Sequence, residues 1–211
     1  MVLTYLVLGA MALRLLSAAR YSLTRRGRSS ANDVVRQIRW RHVWPVPLVL
    51  AVVAGAASLL LAVPGLDWGW WTAIGGQGNP VTGTTDRTTG TIWEWLIPLV
   101  FLLLVLPALP LFALSEERMF RRGAETWTWK RRDVKVVSFG LIHAIIGIPI
   151  GVALALSLGG IYFMWFYLRT VQRTGDPEAA TLESAAAHTT YNGFILTIVL
   201  VVVILTAAGV T

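Results

Sequence analysis

Cysteine is absent from the 211 residues of this chain, and charged residues are scarce. The lack of cysteine excludes disulfides, thiol nucleophiles and thiolate metal sites together. Charged residues make up 14% of the sequence and hydrophobic residues 55%, with a mean hydropathy of +0.65. A chain of this length cannot hide so much apolar surface inside a water-soluble core, so a lipid bilayer must solvate much of it. The composition therefore predicts an all-α, polytopic bundle of transmembrane helices.

The net charge of +7 comes from Arg and Lys residues that cluster between apolar stretches. In a soluble domain this excess of positive charge would suggest a nucleic-acid ligand. Between membrane spans, basic residues instead indicate which side of the membrane each loop lies on. Residues 20–41 and residues 115–135 carry the two densest groups of basic residues. The positive-inside rule places both segments in the cytoplasm. We therefore expect the lipid bilayer as a partner, with anionic lipid beside the basic segments, and no nucleic acid.

Crossing the hydrocarbon layer takes about 20 apolar residues, and this length predicts six membrane segments with the amino terminus outside. The first is expected to be retained rather than cleaved, because its basic residues follow its apolar run. Gly147, Pro149, Gly159 and Gly160 are predicted breaks within residues 136–168, with Gly159 and Gly160 as the turn of a helical hairpin. Thr181 is the predicted cap of the last helix. Residues 64–90, rich in Gly, Thr and Trp, are the predicted exterior loop. The segments are 2–19, 44–63, 92–114, the two limbs of 136–168, and the last helix.

Three polar patterns, EExxxR, FxxxH and HxxxN, interrupt the apolar second half of the chain. Ionisable groups beside lipid are costly and persist mainly where they have a partner or a task. Residues four apart share a helix face, so three helices could each present one face to a common polar cavity. Taken singly, each pattern is also typical of a surface ion pair or of a histidine bonded to a neighbouring carbonyl. The residues are Glu116, Glu117 and Arg121; Phe139 and His143; and His188 and Asn192.

The three patterns together are more specific than any one of them, because the chain has only three histidines. Two of these, His143 and His188, fall in membrane segments within separate patterns. The third, His42, lies among Arg39, Arg41 and Trp44. That setting predicts a structural or lipid-facing role for His42 and no part in the site.

In this order on successive membrane helices, the three patterns resemble those of the CAAX prenyl protease and bacteriocin-processing family of intramembrane endopeptidases, also called CPBP or Abi. The resemblance covers residues 111–200 and rests on the stretches EERMFRRG, SFGLIHAI and AAAHTTYNGF. We therefore divide the chain into N-terminal membrane helices, residues 1–110, and a CPBP-like catalytic core, residues 111–211. The two parts are expected to form one integrated bundle.

The resemblance implies hydrolysis of a peptide bond by water rather than through a covalent intermediate. Carried over by position, Glu116 would be the catalytic carboxylate, assisted by His143 in activating the water. His188 and Asn192 would hold the developing oxyanion, as donors aimed at a tetrahedral oxygen do where water is scarce. The implied substrate is a peptide or a membrane protein.

The resemblance also implies that Glu117 and Arg121 organise the helix end that presents Glu116. A zinc alternative stays open, because Glu116, His143 and His188 form the two-histidine, one-carboxylate set that can bind zinc and leave a position for water. The chain has no HExxH pattern, and the resemblance favours a glutamate mechanism without a cofactor.

Two other functions stay open at this point. A non-proteolytic membrane protein of the same fold could act in bacteriocin immunity or as a partner in a complex. A transporter is a third possibility, although the chain is short and shows no repeated half. Arg122 stands where many family members have Gly, so a partner subunit or a second copy of the chain could complete the cavity. The expected location is a bacterial cell membrane, with the active site facing the cytoplasm.

Overall fold

The computed structural model describes residues 2–76 and 88–209. Residues 77–87 of the predicted exterior loop and positions 210–211 lie outside the described residues. Within the described ranges the chain is helical and contains no strand. Short 3-10 helices at Ala124–Thr126 and Ile142–Ile146 accompany the α-helices. The α-helices are α1 Val2–Ser22, α2 Arg25–Gln37, α3 Trp40–Val43, α4 Val46–Leu61, α5 Trp70–Ala73, α6 Trp93–Phe120, α7 Trp129–Leu141, α8 Ile150–Thr174 and α9 Pro177–Ala207.

Four helical stretches among the described residues are long and apolar enough to cross a membrane. The chain is thus all-helical with candidate membrane spans, which indicates a membrane protein. Helix α1 is not one of these four, and α7 has 13 residues, too few to cross the hydrocarbon layer. The number of spans and the exterior amino terminus stay predictions. The four stretches are Trp40–Leu61, Trp93–Thr126, Ile150–Thr174 and Pro177–Ala207.

The predicted hairpin turn at Gly159 and Gly160 is wrong, because α8 runs without interruption through both residues. The break lies earlier, where Gly147 adopts φ +86° and Pro149 precedes α8. A Cβ at Gly160 would lie 3.0 Å from the Phe139 ring. This glycine therefore allows close helix packing rather than a turn.

The predicted cap at Thr181 is also wrong. Helix α8 ends at Gly175, with φ +70°, and the next residue, Asp176, caps α9. The Asp176 carboxylate accepts hydrogen bonds from the first backbone N–H groups of α9, the shortest from Glu178 at 2.8 Å. Thr181 lies inside the helix and donates to the Pro177 carbonyl at 2.7 Å. Asp176 caps α9 because its short carboxylate reaches the N–H groups of the first turn. Pro177, the first residue of the helix, loses nothing there by lacking an N–H.

The two basic segments are largely helical. Most of residues 20–41 form α2, whose Val34 is buried against Leu114 of α6 and Ala185 of α9. Residues 115–135 contain the last turns of α6 and the first turns of α7. The end of α6 therefore continues past its predicted boundary and carries the EExxxR pattern on a helix.

The first part of the predicted exterior loop covers the start of α8. The Ile150 N–H donates to the Trp68 carbonyl at 3.0 Å, and the Gly151 N–H donates to the Leu66 carbonyl at 2.7 Å. The first N–H groups of a helix have no partner within the helix, so these bonds satisfy two of them. The loop thereby fixes the start of α8.

The core that positions these patterns lies where α7, α8 and α9 meet. Phe139 of α7, Phe163 of α8 and Tyr191 of α9 are buried in one aromatic cluster. Helices α7 and α8 approach closely at Gly140, where a Cβ would overlap the Ala153 carbonyl oxygen. Only glycine fits this crossing, which holds the Phe139 ring against α8.

Candidate active site

Glu117 is the centre of a buried polar network between α6 and α9. Its Oε1 accepts hydrogen bonds from Arg121 Nη1 at 3.0 Å and from His188 Nδ1 at 2.9 Å. Its Oε2 accepts a hydrogen bond from the Ser184 hydroxyl. Glu117 and Arg121 are fully buried, and His188 is 1% exposed. A buried carboxylate is tolerated only when its charge and lone pairs are satisfied, and this one has both a cation and three donors.

Arg121 is fixed by aromatic rings as well as by the carboxylate. Its guanidinium carbon lies 3.9 Å from the centre of the Phe139 ring and 5.5 Å from that of Phe163. Its Nη2 donates to the Gly160 carbonyl of α8 at 3.4 Å. Planar stacking and several directed N–H donors make arginine better suited than lysine to such a buried position. The Arg121 side chain therefore joins the end of α6 to both α7 and α8.

His188 connects Glu117 to Asn192. Its ring stacks on Phe163 at 4.3 Å between centres, and its Nε2 lies 3.0 Å from Asn192 Nδ2. Because Nδ1 faces a carboxylate, Nδ1 carries the hydrogen, and in the neutral ring Nε2 accepts from the Asn192 amide. His188 can donate to a developing oxyanion only when Nε2 is also protonated and Asn192 has turned its amide.

Glu116 differs from its neighbour in having an unsatisfied oxygen. Its side chain is 28% exposed, yet Oε2 is buried and has no hydrogen-bond partner among the described residues. This oxygen lies 3.8 Å from His188 Nε2, which is too far for a direct hydrogen bond. Glu116 is therefore the carboxylate with an oxygen still able to accept a proton, while Glu117 is committed to structure.

His143 lies in the 3-10 helix that follows α7, close to this network but not in it. Its Nδ1 donates to the Phe139 carbonyl at 2.8 Å, which leaves Nε2 as a free acceptor in the neutral ring. The Phe139 ring contacts both imidazoles, at 5.3 Å from His143 and 5.4 Å from His188. The two histidines have no hydrogen bond or ring contact with each other. The structure thus brings five predicted residues together, whereas the Phe139 ring lies between His143 and His188. The five are Glu116, Glu117, Arg121, His188 and Asn192.

The zinc alternative does not fit this arrangement. Within residues 2–76 and 88–209, no group of three or more His, Asp or Glu side chains is placed to hold a metal ion. His188 already uses Nδ1 for Glu117 and Nε2 for Asn192. Glu116, His143 and His188 therefore do not form the three-ligand set that the sequence left open.

A single open pocket around the predicted catalytic residues was also expected. Two cavities, of about 450 and about 300 Å³, lie along α1 and α6, and none of these residues lines either. The polar network is buried around Glu117, Arg121 and His188, and Glu116 and Asn192 at its edge have partly exposed side chains.

Ser184 was missed by sequence reasoning, although it had a signal. It stands four residues before His188, as Asn192 stands four after it, so the three share one face of α9. Ser184 donates to Glu117 and also lies 2.9 Å from the Phe163 carbonyl of α8. It therefore fixes the carboxylate from the side opposite Arg121.

A second polar cluster, in which His42 and Arg41 bind Glu183, was missed as well. His42 is fully buried, and its Nε2 donates to Glu183 Oε1 at 2.8 Å, while Arg41 Nε donates to the same oxygen at 2.8 Å. The Arg39 backbone N–H donates to His42 Nδ1 at 3.0 Å, which sets the ring tautomer. His42 therefore has a structural role, joining α3 to α9, and the lipid-facing option is wrong.

Comparison with known proteins adds no relative to this description. No family model, curated protein or solved structure matches the chain. The family resemblance accordingly rests on the residues of the three patterns, and the candidate site rests on their geometry.

Proposed function

We propose that this chain is a metal-independent, CPBP-like intramembrane endopeptidase in which Glu116 activates a water for attack on a peptide bond. The observation that carries the proposal is the unpartnered, buried Oε2 of Glu116, 3.8 Å from His188 Nε2. Buried polar atoms in folded proteins nearly always have partners. Five buried side-chain atoms among the described residues lack one, and Glu116 Oε2 is the only carboxylate oxygen among them; the others are Arg121 Nε, Ser157 Oγ, Thr189 Oγ1 and the Tyr191 hydroxyl. The neighbouring Glu117 network supplies the rigid frame that such a group needs.

In the proposed reaction, Glu116 takes a proton from water as the water oxygen bonds to the peptide carbon. The carbonyl oxygen becomes an oxyanion and accepts hydrogen bonds from Asn192 and, in its protonated form, from His188. Glu116 then gives the proton to the amide nitrogen as the carbon–nitrogen bond breaks. His143, whose Nε2 is a free acceptor, takes the second proton of that water as the carboxylate product forms.

We also propose on which side of the membrane the site lies. The end of α6 that carries Glu116 is followed by a basic stretch from Arg118 to Lys135, so the site would face the cytoplasm of a bacterial cell membrane. The amino terminus would lie outside, and the substrate would be a peptide or a membrane protein. The cysteine-free sequence allows a direct test, because a single cysteine at Ser29 should react only with reagents inside the cell, and one at Asp67 only with reagents outside. The reverse pattern would contradict this topology.

A specific observation also favours the non-proteolytic function. Both oxygens of Glu117 and both ring nitrogens of His188 are engaged within the protein. Such a closed network joins α6, α8 and α9 whether or not the protein has peptidase activity. A scaffold of this kind, acting in immunity or within a complex, would need the network and not the free oxygen of Glu116.

Cleavage of a reporter peptide by purified protein separates these functions. Glu116→Gln keeps the size and polarity of the side chain and removes the proton acceptor. Glu94→Gln is the matched control, because Glu94 lies at the opposite end of the same helix, ~33 Å away at 1.5 Å per residue. Among the described residues its carboxylate accepts a hydrogen bond only from the Gly90 N–H, just before that helix.

Cleavage that survives a chelator, is lost in Glu116→Gln and is retained in Glu94→Gln would support the endopeptidase. Cleavage retained in Glu116→Gln would refute the assigned role. Chelator-sensitive cleavage would instead support a metalloprotease. No cleavage by a well-folded wild-type protein would favour the scaffold.

A further inference from the structure

A polar cavity of about 450 Å³ lies between α1, α2 and α6, outside the network around Glu117. The apolar part of its wall, which is larger than the polar part, consists of Ala18 of α1 and of Leu111, Phe112 and Leu114 of α6. Its volume falls within the range of small-molecule and headgroup sites. The polar lining consists of Arg14, Ser17 and Tyr21 of α1, Ser30 of α2, and Ser115 and Arg118 of α6.

The charge of this cavity is one-sided. Two guanidinium groups line it, and no Asp or Glu does. Arg118 is partly neutralised by Glu178, at 2.8 Å. Arg14 is exposed and forms no ion pair or hydrogen bond with any described residue. A cavity lined by two cations, one of them without a counter-charge among the described residues, and by no carboxylate favours an anionic ligand.

The hydroxyl groups beside the arginines narrow the ligand class. Ser17, Ser30 and Ser115 can each donate a hydrogen bond, and arginine binds phosphate oxygens through two parallel N–H donors. A phosphate group therefore matches this lining better than a halide or a carboxylate, because it offers several oxygens to several donors at once.

An apolar cleft of about 300 Å³ lies farther along α6, toward its start, with Leu15 of α1 on its other side. The α6 residues that line it include Trp93, Val100 and Leu104. Leu104 is seven residues before Leu111 of the polar cavity, a separation of ~10 Å along the helix. Polar cavity and apolar cleft thus follow each other along the same pair of helices, as the headgroup and chain of a lipid do.

We propose that the surface between α1 and α6 is a binding site for an anionic phospholipid. The phosphate lies between Arg14 and Arg118, the glycerol lies near Ser17 and Ser115, and an acyl chain occupies the apolar cleft. The bound lipid would supply the counter-charge that Arg14 lacks and would hold α1 against the bundle. The site is separate from Glu116 and does not depend on the proposed peptidase activity.

The test is binding of a fluorescent short-chain phosphatidylglycerol to the purified full chain in neutral detergent. Arg14→Gln should weaken binding about fivefold, as expected for the loss of one arginine near a lipid phosphate. Arg20→Gln is the matched control, because it removes the same charge from an exposed position of α1 that does not line the cavity. It should leave binding unchanged.

Two competition measurements identify whether the bound phosphate belongs to a lipid or to a free phosphate compound. Phosphatidylcholine of the same chain length should compete poorly, and glycerol 3-phosphate, which lacks chains, should not compete. Equal weakening in the Arg14 and Arg20 variants would show general surface charge and overturn the site. Competition by glycerol 3-phosphate at concentrations similar to those of the lipid would overturn the lipid assignment. Should Arg14→Gln fail to fold, Ser17→Phe, which fills the polar cavity without changing charge, must still abolish binding for the proposal to stand.

Discussion

The buried pair of Glu117 and Arg121 should stabilise the fold far more than an exposed pair of the same length. Both side chains are fully buried, with 3.0 Å between Arg121 Nη1 and Glu117 Oε1. Removing one partner of a buried pair leaves an uncompensated charge and typically costs about 3–5 kcal/mol. We expect Arg121→Met and Glu117→Gln each to lower the free energy of unfolding by about that amount.

The double variant distinguishes pairing from simple loss of packing. With both charges gone, its cost should be close to that of one single variant rather than to their sum of about 6–10 kcal/mol. The control pair is Arg118 and Glu178, which are 2.8 Å apart with side chains 49% and 42% exposed. An exposed pair contributes about 0–1 kcal/mol.

Unfolding would be followed by far-UV circular dichroism while a denaturing detergent replaces a mild one. Strictly additive costs at Glu117 and Arg121 would refute the reasoning. So would costs no larger than those at the exposed pair, because burial would then not be the cause.

Three further predictions concern the frame of the site. Gly140→Ala should lower the free energy of unfolding, measured by thermal melting, by about 1–3 kcal/mol, because its Cβ would overlap α8. The control Gly55→Ala, which has open space around it, should be neutral or stabilising in the same measurement. His42→Leu leaves Glu183 without one of its charged-group hydrogen bonds and should cost about 1.5–3 kcal/mol, and an unchanged melting temperature would contradict the role of His42 in joining α3 to α9. Nitrogen-15 NMR of His188 should show hydrogen on Nδ1 and none on Nε2 in the neutral ring, and the opposite tautomer would contradict the assigned Asn192 hydrogen bond.

The parts of the fold that the sequence could predict depend on local periodicity. Apolar length indicated the long helices α6 and α9, and the spacing of four residues correctly placed Glu117 beside Arg121 and His188 beside Asn192. Both signals act within one helix, where the geometry of 3.6 residues per turn is fixed. Local rules therefore located the pairs and the helices that carry them.

Two errors, unlike the local one at Thr181, arose where one helix meets another. Gly159 and Gly160 have the composition of a turn, but Gly160 is needed because Phe139 of α7 packs against it. Likewise, the sequence could not show that the Phe139 ring separates His143 from His188, since that depends on how α7 lies on α8. Contacts between helices distant in sequence are decided by packing, which a single sequence without an alignment does not encode in its spacing.

Glu183 and Ser184 are consecutive residues of α9, yet they bind different helices. Glu183 binds His42 of α3, and Ser184 binds Glu117 of α6. Side chains of consecutive helical residues point ~100° apart, so these two hydrogen bonds hold α9 from two directions. Rolling α9 about its own axis would break both at once, and a single residue inserted between Asp176 and Glu183 would swing both anchors off their partners together.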